Sequence, residues 1–392
     1  MWQSAPVIVL RIVVLLLGVA LVLFTLAATI KTVVVPRAIA TNLTRAHFLV
    51  FRRFFDALTP PSRPFETRDR IMALYAPVAL VTLPATWVVL VVGGFTCIFW
   101  GGGVHPWSVA FETSGSSLLT LGFLRPEGAG LQALTFVEAG IGLGLVSLMI
   151  SYLPTIYGAF SRREALVGML EVRAGLPPSP VEMLVRYQLI GWLDNIDTDL
   201  FQRWEPWFAD VEESHTSQPS LVFFRSPHPE RSWITAAGCV LDSAAIVAST
   251  IDREPTGIPD LIVRSGYITL RRVADFFGIP YDPDPAPDDP ISIQREEFDD
   301  MCEQLQRAGV PLRSDLDQAW SDFCGWRVNY DFVLLQLAAL VMAPPAMWSS
   351  DRTPTDRFRP KLRFRRRPPA RPPIPLEGAI AGVRPRRVNR RR

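Results

Sequence analysis

Apolar residues gather into three long runs within the first 160 positions and break into shorter, helix-length patches after that. Residues 7–30 are apolar apart from Arg11 and two threonines. At ~1.5 Å per residue this run extends about 36 Å, enough to cross a hydrocarbon core of ~30 Å. Residues 71–99 form a second run with no charge, in which Pro77 and Pro84 predict a kink. Residues 131–160 form a third, carrying only Glu138 and expected to end at Ser161-Arg162-Arg163-Glu164. A cleaved leader needs positive charge ahead of a shorter apolar stretch, whereas Lys31 and Arg37 follow the first run, so a retained helix is expected. Arg11 lies near its N-terminal end, where a long side chain reaches the interface.

The stretch between the second and third runs has another character. Gly101-Gly102-Gly103 ends a helix and Pro106 can start one. Residues 105–119 are too few to span a membrane and read as a short amphipathic helix. Trp107, Phe111, Leu118 and Leu119 are apolar, and Thr113, Ser114, Ser116 and Ser117 are small and polar. Thr120-Leu121-Gly122-Phe123 follows. A short helix that enters between two spans and returns as irregular chain is a re-entrant loop. Non-helical backbone at that depth is tolerated only inside protein or along a water-filled path.

Charge orients these parts. Residues 1–161 hold 10 basic and 6 acidic side chains, residues 162–351 hold 15 and 30, and residues 352–392 hold 15 and 2. The net +2 is therefore a cancellation of +4, −15 and +13. Residues 31–70 carry 8 basic and 3 acidic side chains, and the third run ends on Arg162-Arg163. The excess of arginine and lysine in cytoplasmic loops places both in the cytoplasm of a multi-pass plasma-membrane protein, with the N-terminus outside and the C-terminus inside. The expected fold is all-α: three transmembrane helices, one re-entrant pore helix and an α-helical cytoplasmic domain. Its parts are a spanning helix in 1–30, a basic cytoplasmic or interfacial loop in 31–70 and a span–loop–span module in 71–163. A helical domain follows in 164–350, with a linker near 281–290, and then a tail in 351–392. In the basic loop, Phe48 to Phe55 alternates aromatics with arginine and reads as a helix lying on the inner leaflet.

The order span, re-entrant helix, T-L-G-F, span resembles the pore module of the potassium-channel superfamily, whose filter reads T-V-G-Y-G. The resemblance covers residues 71–160, under a quarter of the chain. It implies that Thr120, Leu121, Gly122, Phe123 and Leu124 occupy filter positions, where backbone carbonyls replace an ion's hydration shell. It makes Glu138 similar to an acid behind the filter, and Gly140, Gly142 and Gly144, then Pro154, similar to hinges of a gate-forming inner helix. A central filter with one loop per chain implies a homotetramer. The transported ion would be a monovalent cation, potassium if the resemblance carries that far, with no bound cofactor. Two positions depart from the pattern. Leu124 stands where the second filter glycine would, a place where leucine meets backbone strain. Arg125 stands where an aspartate is usual, and four copies around a mouth would repel cations. Other readings of these residues remain open. Gly140-x-x-x-Gly144 suits close helix packing as well as hinging, and Glu138 suits a structural hydrogen bond to the short helix as well as an ion path.

Beyond residue 164 the signals are helical. Ser179-Pro180-Val181-Glu182 is a capping box opening a helix to about residue 193, and Ser314-Asp315-Leu316-Asp317 opens another. Residues 233–251 and 330–342 suit buried helices, and Trp192, Trp204, Trp207 and Trp233 suit a core. Residues 281–290, Y-D-P-D-P-A-P-D-D-P, read as an acidic proline-rich linker. The tail is rich in proline and arginine, a composition that predicts extended or disordered chain. Its clusters at 365–367 and 390–392 suit anionic lipid or the acidic domain better than nucleic acid. The widely spaced Cys97, Cys239, Cys302 and Cys324 exclude a disulfide scaffold and a zinc ribbon, and no Walker, kinase, zincin or hydrolase motif is present. The chain reads as a non-enzyme. It either mediates or regulates passive cation movement, or uses the pore fold as a non-conducting membrane scaffold or sensor.

Overall fold

The computed structural model describes residues 5–33 and 41–352. The expected tail, with its arginine clusters at 365–367 and 390–392, lies outside the described residues except for its first two positions. All regular structure among the described residues is helical. Three stretches are long and apolar enough to cross a membrane: Pro6–Val33, Phe65–Gly102 and Ala129–Ala174. The described residues divide into two compact units. One comprises those up to Arg63 together with Ile71–Gly158, and the other comprises Pro64–Arg70 with the chain from Ala159 onward.

In the first unit, helix α1 (Ala5–Val33) runs antiparallel to α4 (Tyr75–Gly102). Small residues let the two backbones approach. A Cβ on Gly18 would come 2.5 Å from the Gly94 carbonyl, and one on Gly101 2.7 Å from the Arg11 carbonyl. Where lipid tails are as apolar as leucine, such close packing is what holds helices together. Most other α1 side chains, Val9, Leu17 and Leu23 among them, are exposed. Arg11 reaches the left-handed Gly103 that ends α4, a helix C-terminus, where a cation is favoured.

Residues 31–70 contain two helices rather than open loop: α2 (Asn42–Leu58) and α3 (Phe65–Ala73). The helix α2 includes the aromatic–arginine stretch and packs on α4 through buried His47. The His47 Nε2–H donates to the Ala79 carbonyl at 2.8 Å, and its Nδ1 lies 3.0 Å from the Thr86 hydroxyl. Only Leu74 interrupts the helix between α3 and α4. Pro77 falls in the first turn of α4, where its missing N–H costs nothing, and Pro84 is the proline in the interior.

Helix α5 (Trp107–Leu118) follows, and then α6 (Ala129–Ala174), 46 residues in one helix and about 69 Å long. The expected stop at Ser161-Arg162-Arg163-Glu164 does not occur. Arg163 is 1% exposed, and its guanidinium donates to the Leu221 and Phe224 carbonyls and to His215 Nε2 at 2.8, 2.7 and 3.1 Å. It is an internal cross-brace of the second unit, so its charge marks no helix end. Arg162 beside it is exposed and pairs with Asp210.

The second unit surrounds α9 (Trp233–Ser249), which is buried along almost its whole length. Around it lie α7 (Pro180–Leu189), α8 (Gln202–Ser217), α10 (Ile258–Phe277), α11 (Arg295–Arg307), α12 (Leu316–Arg327) and α13 (Asp331–Val341). Ser179 caps α7 by accepting the Glu182 N–H, and Asp315 caps α12 by accepting the Gln318 N–H. Helix α7 stops four residues short of the expected end because Gly191 turns the chain at φ 70°. Trp204, Trp207 and Trp233 are buried, but Trp192, just past that turn, is 50% exposed and is not core. Residues 281–290 do not separate two domains. They lie within the unit, tied by Arg271 Nη1 donating to the Pro283 carbonyl at 2.8 Å.

A guanidinium can only donate, so His215 accepts through Nε2 and is neutral, with Trp233 against its ring at 5.0 Å. Burial first, and then the Arg163 charge, holds its pKa well below the usual histidine value. Glu164, paired with Arg163, is the acid of this cluster. Between the depressed folded value and about 6.5 the unfolded chain binds the extra proton, so stability present above that window is lost as pH falls through it. Acidification from about pH 7 to about pH 5 is expected to lower stability at this site. His215→Gln keeps an acceptor for Arg163 and should remove that part of the acid sensitivity, read as the thermal midpoint against pH.

Candidate functional site

Helix α5 is wedged between α4 and α6. Ala110 is fully buried, and the Ser114 hydroxyl lies 3.1 Å from the Val92 carbonyl of α4 and 2.5 Å from Glu138 Oε1 of α6. At the C-terminal end of α5, the Leu118 carbonyl would sit 2.0 Å from a Cβ on Gly142. Helix rise gives the depth of this wedge. Val92 is about 15 Å from the end of α4, and Gly142 is about 20 Å into α6. The tip of the short helix therefore lies well down between two long apolar helices.

The chain then folds back on that tip. The Thr120 N–H donates to the Ser117 carbonyl at 3.0 Å, and the Leu121 and Gly122 N–H groups donate to the Ser116 carbonyl at 2.8 and 3.3 Å. The Phe123 and Leu124 N–H groups reach the Ser116 hydroxyl at 3.1 and 3.4 Å. Every amide from Thr120 to Leu124 is thus turned toward α5. No described residue donates a hydrogen bond to the five carbonyl oxygens of the same stretch. Backbone polar groups are nearly always paired where water cannot reach, so a row of open carbonyls beside a row of fixed amides is an acceptor surface. Leu121 and Phe123 project outward, 62% and 64% exposed.

The backbone strain expected at Leu124 is not there, because Leu124 does not adopt positive φ. The left-handed residues are Gly122, at φ 71° and without penalty, and Thr120, at φ 57°. A β-branched residue in that region costs ~1–3 kcal/mol, and the bonds of its own N–H to the Ser117 carbonyl and of the Leu121 N–H to the Ser116 carbonyl hold it there. Arg125 is folded away along the start of α6, donating to Gln132 Oε1 at 3.1 Å, and Gln132 donates to the Pro126 carbonyl at 3.2 Å.

Of the α6 residues singled out by sequence, Glu138 is brought to this assembly. It is fully buried, with Oε1 taken by Ser114 and Oε2 without a partner among the described residues. Gly140, Gly144 and Pro154 are not brought to it. They lie on the opposite, exposed face of α6, and a Cβ on either glycine would meet nothing within 4 Å. The glycine that α5 packs against is Gly142, between them. Ser147, Ser151 and Thr155 share the exposed face, their hydroxyls turned back on the carbonyls four residues earlier. Above the wedge, Trp100 and Trp107 stack at 4.5 Å between centroids, with His105 edge-on to Trp100 at 5.2 Å.

In the sequence Ser114 and Ser116 read only as small polar residues. Their position, six and four residues ahead of Thr120, was visible, but the roles of brace and double amide acceptor needed the fold. No protein-family model matches the chain, and no curated protein or solved structure matches it either.

Proposed function

We propose that this chain is a potassium-channel-like membrane protein that mediates or regulates passive movement of a monovalent cation as a homotetramer. Residues 71–160 would form its pore module, with α5 re-entering the bilayer from the outer side. The observation that carries the reading is the stretch Thr120–Leu124, with its amides fixed by Ser116 and Ser117 and its carbonyls open, at depth between two apolar helices. Four such stretches around an axis would replace an ion's hydration shell with carbonyl oxygens. In that assembly the face of α6 bearing Gly140, Gly144 and Pro154 meets neighbouring copies or lines the path, and Glu138 braces the short helix from behind. The basic residues of 31–70 favour a cytoplasmic side for α2 and the second unit in the plasma membrane, with the N-terminus outside.

Ion flux into proteoliposomes tests this. The expected result is uptake of a monovalent cation by the cross-linked tetramer, at least about tenfold above Gly122→Asp. Aspartate tolerates the left-handed backbone better than other side chains, so that variant keeps its fold. Equal flux from the two proteins, in a verified tetramer, would remove the reading.

A second reading is favoured by one contact. The Arg125–Gln132 bond and the negative φ of Leu124 suit a loop that is finished as it stands, as in a non-conducting scaffold or sensor. It predicts that Leu124→Gly/Arg125→Asp leaves flux at the background of empty liposomes, whereas a conducting pore would gain cation flux from removing four arginines.

A further inference from the structure

In the second unit, residues 281–290 arch over the junction of α12 and α13 and leave a cleft of about 460 Å³. That is within the range of ligand-binding clefts, ~300–1,000 Å³. Its walls are apolar and aromatic, formed by Tyr281, Pro285, Pro290, Phe332 and Val333, with Asp282 and Asp289 on the rim. Asp284 and Asp288 stand exposed in the same arch. The cations facing the cleft are accounted for. Arg271 donates to the Asn329 carbonyl and to Pro283 at 2.9 and 2.8 Å and stacks on Tyr267 and Tyr281. Asp331, the third aspartate of the lining, is matched to buried Arg327 and to Ser292. Two arch aspartates thus border an apolar floor, two more stand exposed in the same arch, and one buried arginine lies against them.

The chain itself leaves the described structure beside this cleft. Arg352, the last described residue, donates to the Ser292 carbonyl at 2.6 Å and to Glu297 at 2.8 Å. Ser292 in turn holds Asp331 and lies two residues beyond Pro290. The next 40 residues hold 14 basic and 2 acidic side chains, beginning T-P-T-D-R-F-R-P-K-L-R-F-R-R-R-P-P. At ~3.3 Å per residue, five residues span about 17 Å, so Arg357 and Phe358 are within reach of the cleft from that anchor.

We infer that the acidic arch and its aromatic cleft form an intramolecular dock for the arginine-rich segment 357–367 of the same chain. The aromatic floor between Tyr281 and Phe332 suits phenylalanine and proline side chains, and Asp282 and Asp289 on the rim suit arginines. Tethering by Arg352 makes the encounter unimolecular, which raises the effective concentration of a segment whose free affinity is modest. A dock of this kind withdraws a basic cluster from anionic lipid. The inference does not depend on whether the protein conducts ions.

A photo-cross-linking amino acid placed at Phe332, and separately at Tyr281, of the full-length protein in detergent tests this. Mass spectrometry should find both positions joined to residues 357–367. In an equal mixture of isotope-labelled and unlabelled chains, both halves of each product should carry the same label. Asp282→Asn/Asp289→Asn keeps the side-chain oxygens that accept the Asp284 and Ala286 N–H groups and should lower the yield about tenfold by removing two rim charges. Products confined to residues 159–352, mixed-label products, capture of detergent in place of the tail, or an undiminished yield in the double variant would each overturn the inference.

Discussion

Replacing Gly142 with valine is expected to destroy the wedge between α5 and α6, destabilising the protein by at least about 3 kcal/mol. The clash is backbone against side chain. A Cβ at that position would sit 2.0 Å from the Leu118 carbonyl oxygen and 3.0 Å from its carbon, and no rotamer change relieves a contact made by the Cβ itself. Thermal unfolding in detergent should show a lower midpoint, or the protein should fail to purify as a monodisperse species. Gly140→Ala and Gly144→Ala are the matched controls. Neither meets any atom within 4 Å, so neither should destabilise the single chain, and helix propensity favours alanine by about 0.5–1 kcal/mol. The same pair separates fold from assembly. If the exposed face of α6 meets neighbouring copies, Gly140→Leu/Gly144→Leu lowers the cross-linked oligomer fraction while leaving Gly142-dependent stability intact.

Arg327→Met is expected to cost ~3–5 kcal/mol, because it leaves acids buried without their cation. Arg327 and Asp242 are both fully buried and form a short ion pair, while Arg327 Nε donates to Asp331 at 2.8 Å and Nη2 donates to the Trp348 carbonyl. Asp242 also accepts from the Tyr330 hydroxyl at 2.8 Å, and its second oxygen has no partner among the described residues. Burial already holds the Asp242 carboxyl above the usual value of 3.8, against the pull of Arg327. Without the guanidinium it rises further and folds as the neutral acid. A raised folded pKa makes stability fullest below the unfolded value and loses it as pH climbs through the folded one. Arg327→Met should therefore melt higher at about pH 4 than at about pH 8, opposite in sign to the histidine effect at His215. Adding Asp242→Leu should recover part of the loss and flatten the pH dependence. A flat profile in the single variant would show that the pair does not hold the ionised carboxylate in place.

The spans could be read from sequence because an apolar run of 24 or more residues has few alternatives. The end of α6 could not, for a specific reason. Ser161-Arg162-Arg163-Glu164 has the composition of a membrane-water boundary, and nothing local reveals that Arg163 points inward to carbonyls 58 and 61 residues away. The glycines of α6 mislead in a related way. The small-xxx-small pattern picks out Gly140 and Gly144, while the glycine under the short helix is Gly142, and only the angular position of Leu118 decides which one is needed. Trp192 fails as core because a left-handed glycine at position 191 redirects the chain just before it. At the candidate site, Thr120 to Leu124 and Glu138 came from order and resemblance. The seat that Ser116 makes for that loop is a matter of hydrogen-bond geometry, and a serine in a polar stretch carries no mark of it.

The open carbonyls of Thr120–Leu124 impose a hydration requirement. In hydrocarbon, each unpaired carbonyl costs several kcal/mol, so five in a row exceed what a domain's net stability can absorb. If α4 and α6 cross a bilayer, water must accompany this stretch, and a film of it must follow the loop down between the helices. Under that condition a wet vestibule inside the membrane follows, whether or not an ion ever crosses it.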